Sequence, residues 1–424
     1  MFKAISYAIF TGSNYLGAEM IGKFEQDTIL ENTEGCLEGN SQHLKLNRPD
    51  LKILKPSEWD TPEYISKLKE EKYDYFYSNP PCSGLSAGSL AAHTESKMND
   101  YLKRAFRLID ELRPKVFFIE NAPTLLSKIG WPIIQEATCL LQNNYNLLFA
   151  KDAAMFHNVP MCRKRTLFLG FSKQRFGTTN FTLFPEDVRT KNVLDLLPTE
   201  CEKYPFDAKP DVTAHQQLYD FIEKNREMVD EIFEKEKSVK RDSTISMFAK
   251  YSNEYEWKRL LKDDKYNLLR TAFERVVEKL SQRKAYFDAG YPISIFKNTP
   301  RAPSMTSYIR LYNVEERRPF YLREYAAIMG YPTDFKFTDK GSVAHMAQGV
   351  PVNFANYVHR NVVSILEGTH DSFGKKARII LQTNNGLKQE HFIASLPDIL
   401  ELADITEAIK STKNSKFEQS VMDI

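Results

Sequence analysis

Residues 74–89 read DYFYSNPPCSGLSAGS, and the order of residue types within them decides how the rest of the chain is read. Tyr73 to Ser78 is an aromatic, strand-like run that Asn79, Pro80 and Pro81 bring to an end, because consecutive prolines fix φ and bar both helix and central strand. Cys82 therefore sits past a strand end, in a loop of small residues where Gly84 and Gly88 let the backbone bend. Most free cysteines are inert, buried packing. A thiol carried into a loop just beyond a strand is instead how a chain presents a nucleophile.

Upstream, Ser6 to Phe10 is a short apolar run ending in Thr11, Gly12, Ser13 and Asn14, Gly17 to Gly22 has helical character, and Thr28 to Leu30 is a second short strand ending in Glu31. Pro62 to Glu71 reads as a helix with its proline in the first turn. Downstream, Tyr101, Leu102, Ala105, Phe106, Ile109 and Leu112 recur at helical spacing between Lys97 and Arg113, and Pro114 stops that helix. Val116 to Ile119 is a buried strand ending in Glu120 and Asn121, and Tyr145 to Ala150 and Thr166 to Phe171 are two further strands. Strand, helix and strand in repetition predict an α/β fold with a parallel sheet and right-handed crossovers. The alternation is lost from residue 173 to about 300, where two helical stretches, Ala214 to Lys237 and Asn253 to Arg283, mark a separate module. It returns in RRPFYLREYAAIMGYP, a helix closed by Gly330 and Pro332, and in a strand or helix from Val350 to Val363. The tail after Gly368 is polar, with one strand-like run, Ala377 to Gln382, and one helical run, Pro397 to Lys410.

A chain of 424 residues can bury a sizeable core and make two domains. With 27% charged and 42% hydrophobic residues it has an ordinary soluble composition. A net charge of only +2 means that a polyanion would be met by a local basic face rather than by the field of the whole protein. Cys36, Cys82, Cys139, Cys162 and Cys201 are odd in number and form no C-x-x-C pair, which argues against a disulfide framework and against a thiolate metal site. No signal peptide and no run of about 20 apolar residues is present, so the expected setting is a reducing, cytoplasmic one with no membrane partner.

Ligands of an open parallel sheet bind outside the carboxyl ends of its strands. Cys82 and Glu120 each follow such an end, with one crossover helix between their strands, so thiol and carboxylate project from the same edge, close enough to act on one small ring. An acid at a strand end is as often a helix cap or an ion-pair partner; the shared edge favours a shared site. Phe10, Gly12 and Glu31 lie on that edge too. There a glycine lets a cofactor approach the backbone, and an acid after the second strand commonly takes ribose hydroxyls.

Taken in order, these segments resemble the cytosine carbon-5 DNA methyltransferases: FTGSNYLGAE from Phe10, PPCSGLS around Cys82, FFIENA with Glu120, NVPMCRKRTLFLGF with Arg163 and Arg165, RAPSMT at Arg301, RPFYLREYAAIMGYP, and AQGVPVNFANYV near residue 350. The likeness covers about 1–172 and 300–365. It implies a Rossmann-like S-adenosylmethionine-dependent fold with an inserted, smaller target recognition domain. The expected division is a catalytic and cofactor-binding domain over 1–172, target recognition over 173–300, a return segment over 301–368 and a C-terminal extension over 369–424. In the implied reaction Cys82 attacks carbon 6 of a flipped-out cytosine in duplex DNA, Glu120 holds the ring's N3 and amino edge, and Arg165, with Arg163 beside it, steadies the base carbonyl and the acid. Phe10 would meet the adenine of S-adenosylmethionine, Gly12 the methionine portion and Glu31 the ribose. Asn79 and Pro80 would lie beside that pocket, Val350 and Pro351 would close it, and Asp60 or Ser57 would meet the adenine amino group. Ser86, Arg301 and Arg310 are the implied DNA contacts. The basic stretches Lys237 to Arg241 and Arg283 to Lys284 read equally well as phosphate contacts or solvated faces.

The chain departs from the pattern at Ala8, where the family has an acid, at Ser13 and Asn14 in place of a glycine pair, at Ser83 in place of glutamine, and at Gln348 in place of a late asparagine. Most of these touch the cofactor side. The leading expectation is a DNA (cytosine-5-)-methyltransferase of restriction-modification or phage type, in the cytoplasm of a bacterial or phage-infected cell, monomeric on its duplex site and with a cognate restriction endonuclease as companion. Two other readings compete: the tRNA-methylating branch, whose Cys-Phe-Thr hallmark is lacking, and a catalytically silent DNA-binding subunit, against which Cys82, Glu120 and Arg165 argue.

Overall fold

A computed structural model of the chain describes residues 1–85, 96–127, 129–161, 163–183, 193–194, 197, 293–295, 310–313, 318–338, 342–373, 377–382 and 388–394. In chain order the elements are β1 (Phe2–Tyr7), α1 (Ser13–Glu19), β2 (Phe24–Glu25), β3 (Thr28–Leu30), α2 (Gln42–Asn47), β4 (Lys52–Leu54), α3 (Pro56–Trp59), α4 (Pro62–Glu70), β5 (Tyr75–Ser78), α5 (Asn99–Leu112), β6 (Val116–Asn121), α6 (Trp131–Leu141), β7 (Tyr145–Ala153), β8 (Lys164–Ser172), α7 (Lys173–Phe176) and β9 (Asn180–Phe181). Further along come β10 (Ile293–Ile295), β11 (Arg310–Asn313), β12 (Arg318–Pro319), α8 (Leu322–Met329), α9 (Ser342–Gln348), α10 (Val352–Glu367), β13 (Ser372–Phe373), β14 (Ala377–Gln382) and β15 (Lys388–Ala394).

Local chemistry explains the boundaries. Thr61 Oγ1 accepts the Tyr64 N–H at 3.2 Å to start α4, and Gly330, at φ 77°, closes α8 in the left-handed conformation that glycine adopts most readily. Along α5 the apolar face Leu102, Ala105, Phe106, Ile109 and Leu112 is buried, each larger side chain contributing about 1.5–3 kcal/mol. The apolar run near the N-terminus does not continue to Phe10, and α1 starts earlier than Gly17, directly after Gly12. Ala8 and Phe10 adopt positive φ, 51° and 53°, which cannot extend a strand.

The main sheet of ten strands runs β14-β15-β7-β8-β6-β5-β1-β3-β4, with β2 also on β1. Strands β4, β3, β1, β5 and β6 are parallel, as the alternation predicts. From β8 outward the pairs turn antiparallel, because β7 and β8 follow each other with no crossover helix between them. The strand-like run of the tail, β14, joins this sheet through β15, a strand the sequence reading did not include, which pairs with β7. One apolar layer holds Ile5, Phe76, Phe117 and Ile119 with α4, α5 and α6; the other holds Ala4, Tyr75, Tyr77 and Phe118 with α1, α8 and α10. The predicted helices at 214–237, 253–283 and 397–410 lie outside the described residues. None of the described helices is long and apolar enough to cross a membrane.

Candidate active site

The chain leaves β1 for β3 and β4 on one side and later fills β5 and β6 on the other, so the strand order reverses between β1 and β5. Sheets of this kind open a crevice at that switch point. Tyr7, Leu30, Ser78 and Ile119 are Cα partners across the four strands, so the loops that follow them, carrying Phe10 and Gly12, Glu31, Asn79 to Cys82, and Glu120, leave the sheet in one row.

Cys82 is partly exposed and opens a turn closed by Leu85 N–H to Cys82 O at 2.9 Å. Gly84 lies so close to the start of α5 that a Cβ there would come within 2.4 Å of Asn99 Oδ1; the missing side chain lets the loop sit against the helix. Glu120 is buried, its Oε1 in an ion pair with Arg165 Nε and its Oε2 accepting from Asn79 Nδ2. Arg165 reaches it because β8 is antiparallel to β6: Glu120 is level with Leu167 and Asn121 with Thr166, so the first residues of β8 stand at the same edge. Burial raises the Glu120 pKa above the ordinary carboxyl value against the pull of Arg165, Arg163 and Asn79. Burial also raises the Cys82 pKa; Arg165 and Arg163 lower it and Glu120 raises it. At Cys82 the loss of hydration outweighs the two arginines.

Arg163 is buried and serves a different purpose from its neighbour. Its Nη2 donates to the carbonyls of Ala347 and Gly349 at 2.6 and 2.8 Å, tying the return segment to the sheet edge. Tyr331 and Thr11 share a 2.6 Å hydroxyl contact, and Val350, next in the chain after Gly349, is buried. Asn79, read from the sequence as a cofactor neighbour, donates its amide Nδ2 to the Glu120 carboxylate. Asn121, which the sequence did not single out, donates to Pro80 O at 3.3 Å and steadies the turn before Cys82.

On the cofactor side, Gly12 has φ 84° and packs against Leu44 of α2. Glu31 is buried and accepts from Ser41 Oγ at 2.8 Å and from the backbone of Asn32 and Ile9; burial nonetheless pushes its pKa up to about 7. Asn14 Nδ2 is buried with no partner among the described residues. A left-handed glycine turn, a buried strand-end carboxylate and an unused amide donor fit a polar nucleoside-bearing cofactor. Both candidates for its adenine amino group have other partners: Asp60 pairs with Arg104 at 2.7 Å, and Ser57 with Glu34 at 2.7 and 2.8 Å. Ser86 and Arg301 lie outside the described residues, and Arg310 opens β11.

The family model for C-5 cytosine-specific DNA methylases matches residues 21–364. The chain belongs to this family. The match begins after the Phe10–Asn14 loop, where the sequence departs most from the family pattern. Among curated methylases, the chain is 23% identical over 337 residues to the type II methyltransferase M.Bpa9945I of Bacillus paralicheniformis, spanning 70% of this chain and 72% of the relative. It is 25% identical over 336 residues to the type II methyltransferase M.PspPI of a Psychrobacter species, spanning 76% and 71%. In fold it is similar to the prophage-encoded E. coli protein assigned as a DNA modification methyltransferase, with a TM-score of 0.55, 17% identity and coverage of 87% of this chain and 100% of the other. The Entamoeba histolytica methyltransferase EhMeth gives a TM-score of 0.52 at 12% identity, over 86% and 99%. The methylase family and this Rossmann-like sheet imply use of S-adenosylmethionine and a DNA substrate.

Proposed function

We propose that the protein transfers a methyl group from S-adenosylmethionine to carbon 5 of a cytosine flipped out of a specific duplex DNA sequence, through a transient bond to Cys82. The observation that carries this reading is the buried Glu120, clamped by Arg165 and Asn79 at the same sheet edge as the thiol. A base inside the stack cannot be reached by such a recessed pair, so the cytosine must leave the helix. Cys82 gives up its thiol proton to solvent and its Sγ bonds to carbon 6 as the carbon 5–carbon 6 double bond opens, while Glu120, whose burial favours its neutral form, delivers a proton to N3 of the ring. Before the transfer a neutral Glu120 does not repel the forming thiolate, and Arg165, whose charge acts on both groups, steadies first the thiolate and then the Glu120 carboxylate. Electron density then gathers at carbon 5. S-adenosylmethionine, when bound, supplies the methyl group that this carbon receives. Solvent takes the carbon-5 proton, the ring double bond is restored as Cys82 Sγ leaves carbon 6, and the N3 proton returns to Glu120.

Phe10, Gly12, Glu31, Pro80 and Val350 are the residues we assign to the cofactor, with Arg163 holding the return segment that carries Val350. The insert at 173–300 is assigned to sequence recognition, together with Ser86, Arg301 and Arg310 toward DNA. A restriction endonuclease acting at the same site is the natural companion.

Duplex DNA containing 5-fluorocytosine tests the reaction, because its carbon-5 fluorine cannot leave as a proton. With S-adenosylmethionine, the wild-type protein should form an adduct that survives denaturation, and Cys82→Ser should form none. An adduct on tRNA alone would select the tRNA-methylating reading; no adduct on any nucleic acid, with no cofactor binding by calorimetry, would sink the enzymatic one.

A further inference from the structure

Asn79 is buried to 1% exposure. Its Nδ2 donates to Glu120 Oε2, which accepts in the carboxylate and also in the neutral acid whose proton sits on the other oxygen; the flipped amide would there set Oδ1 against an acceptor. That leaves Oδ1 as a buried acceptor with no hydrogen-bond partner among the described residues. An unpaired buried acceptor is costly, and this one stands beside the acid that meets the base. The placement follows from the sheet: Ser78 and Ile119 are partners across β5 and β6, so the next residues, Asn79 and Glu120, come side by side where the strands end.

We infer that Asn79 is a specificity-determining residue whose Oδ1 accepts a hydrogen bond from the exocyclic 4-amino group of the flipped cytosine. The inference rests on the cytosine reading given above and deepens it. Nδ2 keeps Glu120 in place for N3 while Oδ1 reads the amino group, so a single amide serves both positions of the ring edge. Uracil and thymine carry a carbonyl oxygen at position 4; it would face Oδ1 acceptor to acceptor and leave both unpaired. Sites that bury a polar group in this way reject an analogue lacking its partner far more strongly than apolar pockets do.

The test is a cycle between residue and substrate. Sequencing of DNA methylated by the wild-type protein gives the target site, and duplexes are made with 5-fluorocytosine or 5-fluoro-2-pyrimidinone at the target position, the second differing only in lacking the 4-amino group. Adduct formation is then timed for wild type and Asn79→Ala, with Asn79→Ser replacing it should the alanine variant fail to fold in a thermal melt. The expected result is that the variant loses about tenfold more rate on 5-fluorocytosine than on 5-fluoro-2-pyrimidinone. Equal losses on both overturn the inference and leave Asn79 as a mere support for Glu120. A wild-type protein that forms no adduct with either base overturns the methyltransferase reading itself, and the inference with it.

Discussion

At the scale of single residues, the strand-end carboxylates show how burial and hydrogen bonding compete for one proton. Glu31 has ordinary stabilising partners in Ser41 and two backbone amides, yet burial holds its pKa at about 7 against 4.5 for the free side chain. Between those values the folded state binds more protons than the unfolded one, so this group's contribution is fully present below pH 4.5 and is lost as pH rises through 7. A shift of that size corresponds to about 3 kcal/mol. Urea unfolding of wild type and Glu31→Gln at pH 5 and pH 7.5 should therefore show the variant gaining stability relative to wild type on going to the higher pH. Parallel pH dependences in the two proteins would dismiss the assignment. Cys82 and Glu120 were legible as a pair because proline, small residues and strand ends are local signals. The partner of Asn79 was not, since nothing within its own segment says which way an amide turns.

Among the elements, α2 is the piece whose role the sequence conceals. It is a short helix that lays Leu44 against Gly12, follows Ser41 on Glu31, and is fastened to the return segment by side chains. Asn47 exchanges two hydrogen bonds with the backbone of Lys336 at 2.7 and 2.8 Å, and Asn40 donates to Gln348 at 3.3 Å. Thr338 N–H donates to His43 Nδ1 at 3.2 Å, which puts the His43 proton on Nε2, facing His345 Nδ1 at 2.9 Å. That arrangement needs a neutral His43, and burial, aided by His345, lowers its pKa to about 4 from 6.5. The sign is opposite to that of Glu31: above pH 6.5 the fastening is intact, and stability falls by about 3 kcal/mol as pH drops from 6.5 to 4. In chemical unfolding curves recorded between pH 4 and 7, His43→Gln should gain stability relative to wild type as the pH falls, by about 3 kcal/mol. If the two proteins keep parallel pH dependences, the histidine contact does not hold α2. With Glu31 and His43 shifting in opposite directions over nearly the same window, their contributions offset each other in the wild-type protein and separate only in the single variants.

For the whole molecule, the ends of the chain matter more than their composition suggests. Residues beyond the insert return to pack on the first loop: His359 of α10 meets Asn14 Oδ1 at 2.8 Å and Tyr75 OH at 2.9 Å, joining α1 and β5 across most of the sequence. The tail does likewise for the sheet, with β15 covering the edge of β7 from Leu147 to Lys151. An uncovered edge presents unpaired backbone groups that recruit other chains. A protein truncated after Gly368 should melt at lower temperature than the full chain and scatter light on standing; unchanged melting with no aggregation would show that β7 does not need its cover.

What the sequence determined by itself was the order of strands and helices in the first third, the loops at the strand ends and the chemistry those loops carry. These depend on near-neighbour effects: the period of apolar side chains, the fixed φ of proline, and the freedom of glycine. Tertiary structure alone decided the reversed direction of β8 that delivers Arg165 to Glu120, the fastening of α2, the commitment of Asp60 to Arg104 and the enlistment of the tail into the sheet. Each is a choice of partner between segments far apart in the chain, and such a choice is fixed only when burial removes water as the competing partner.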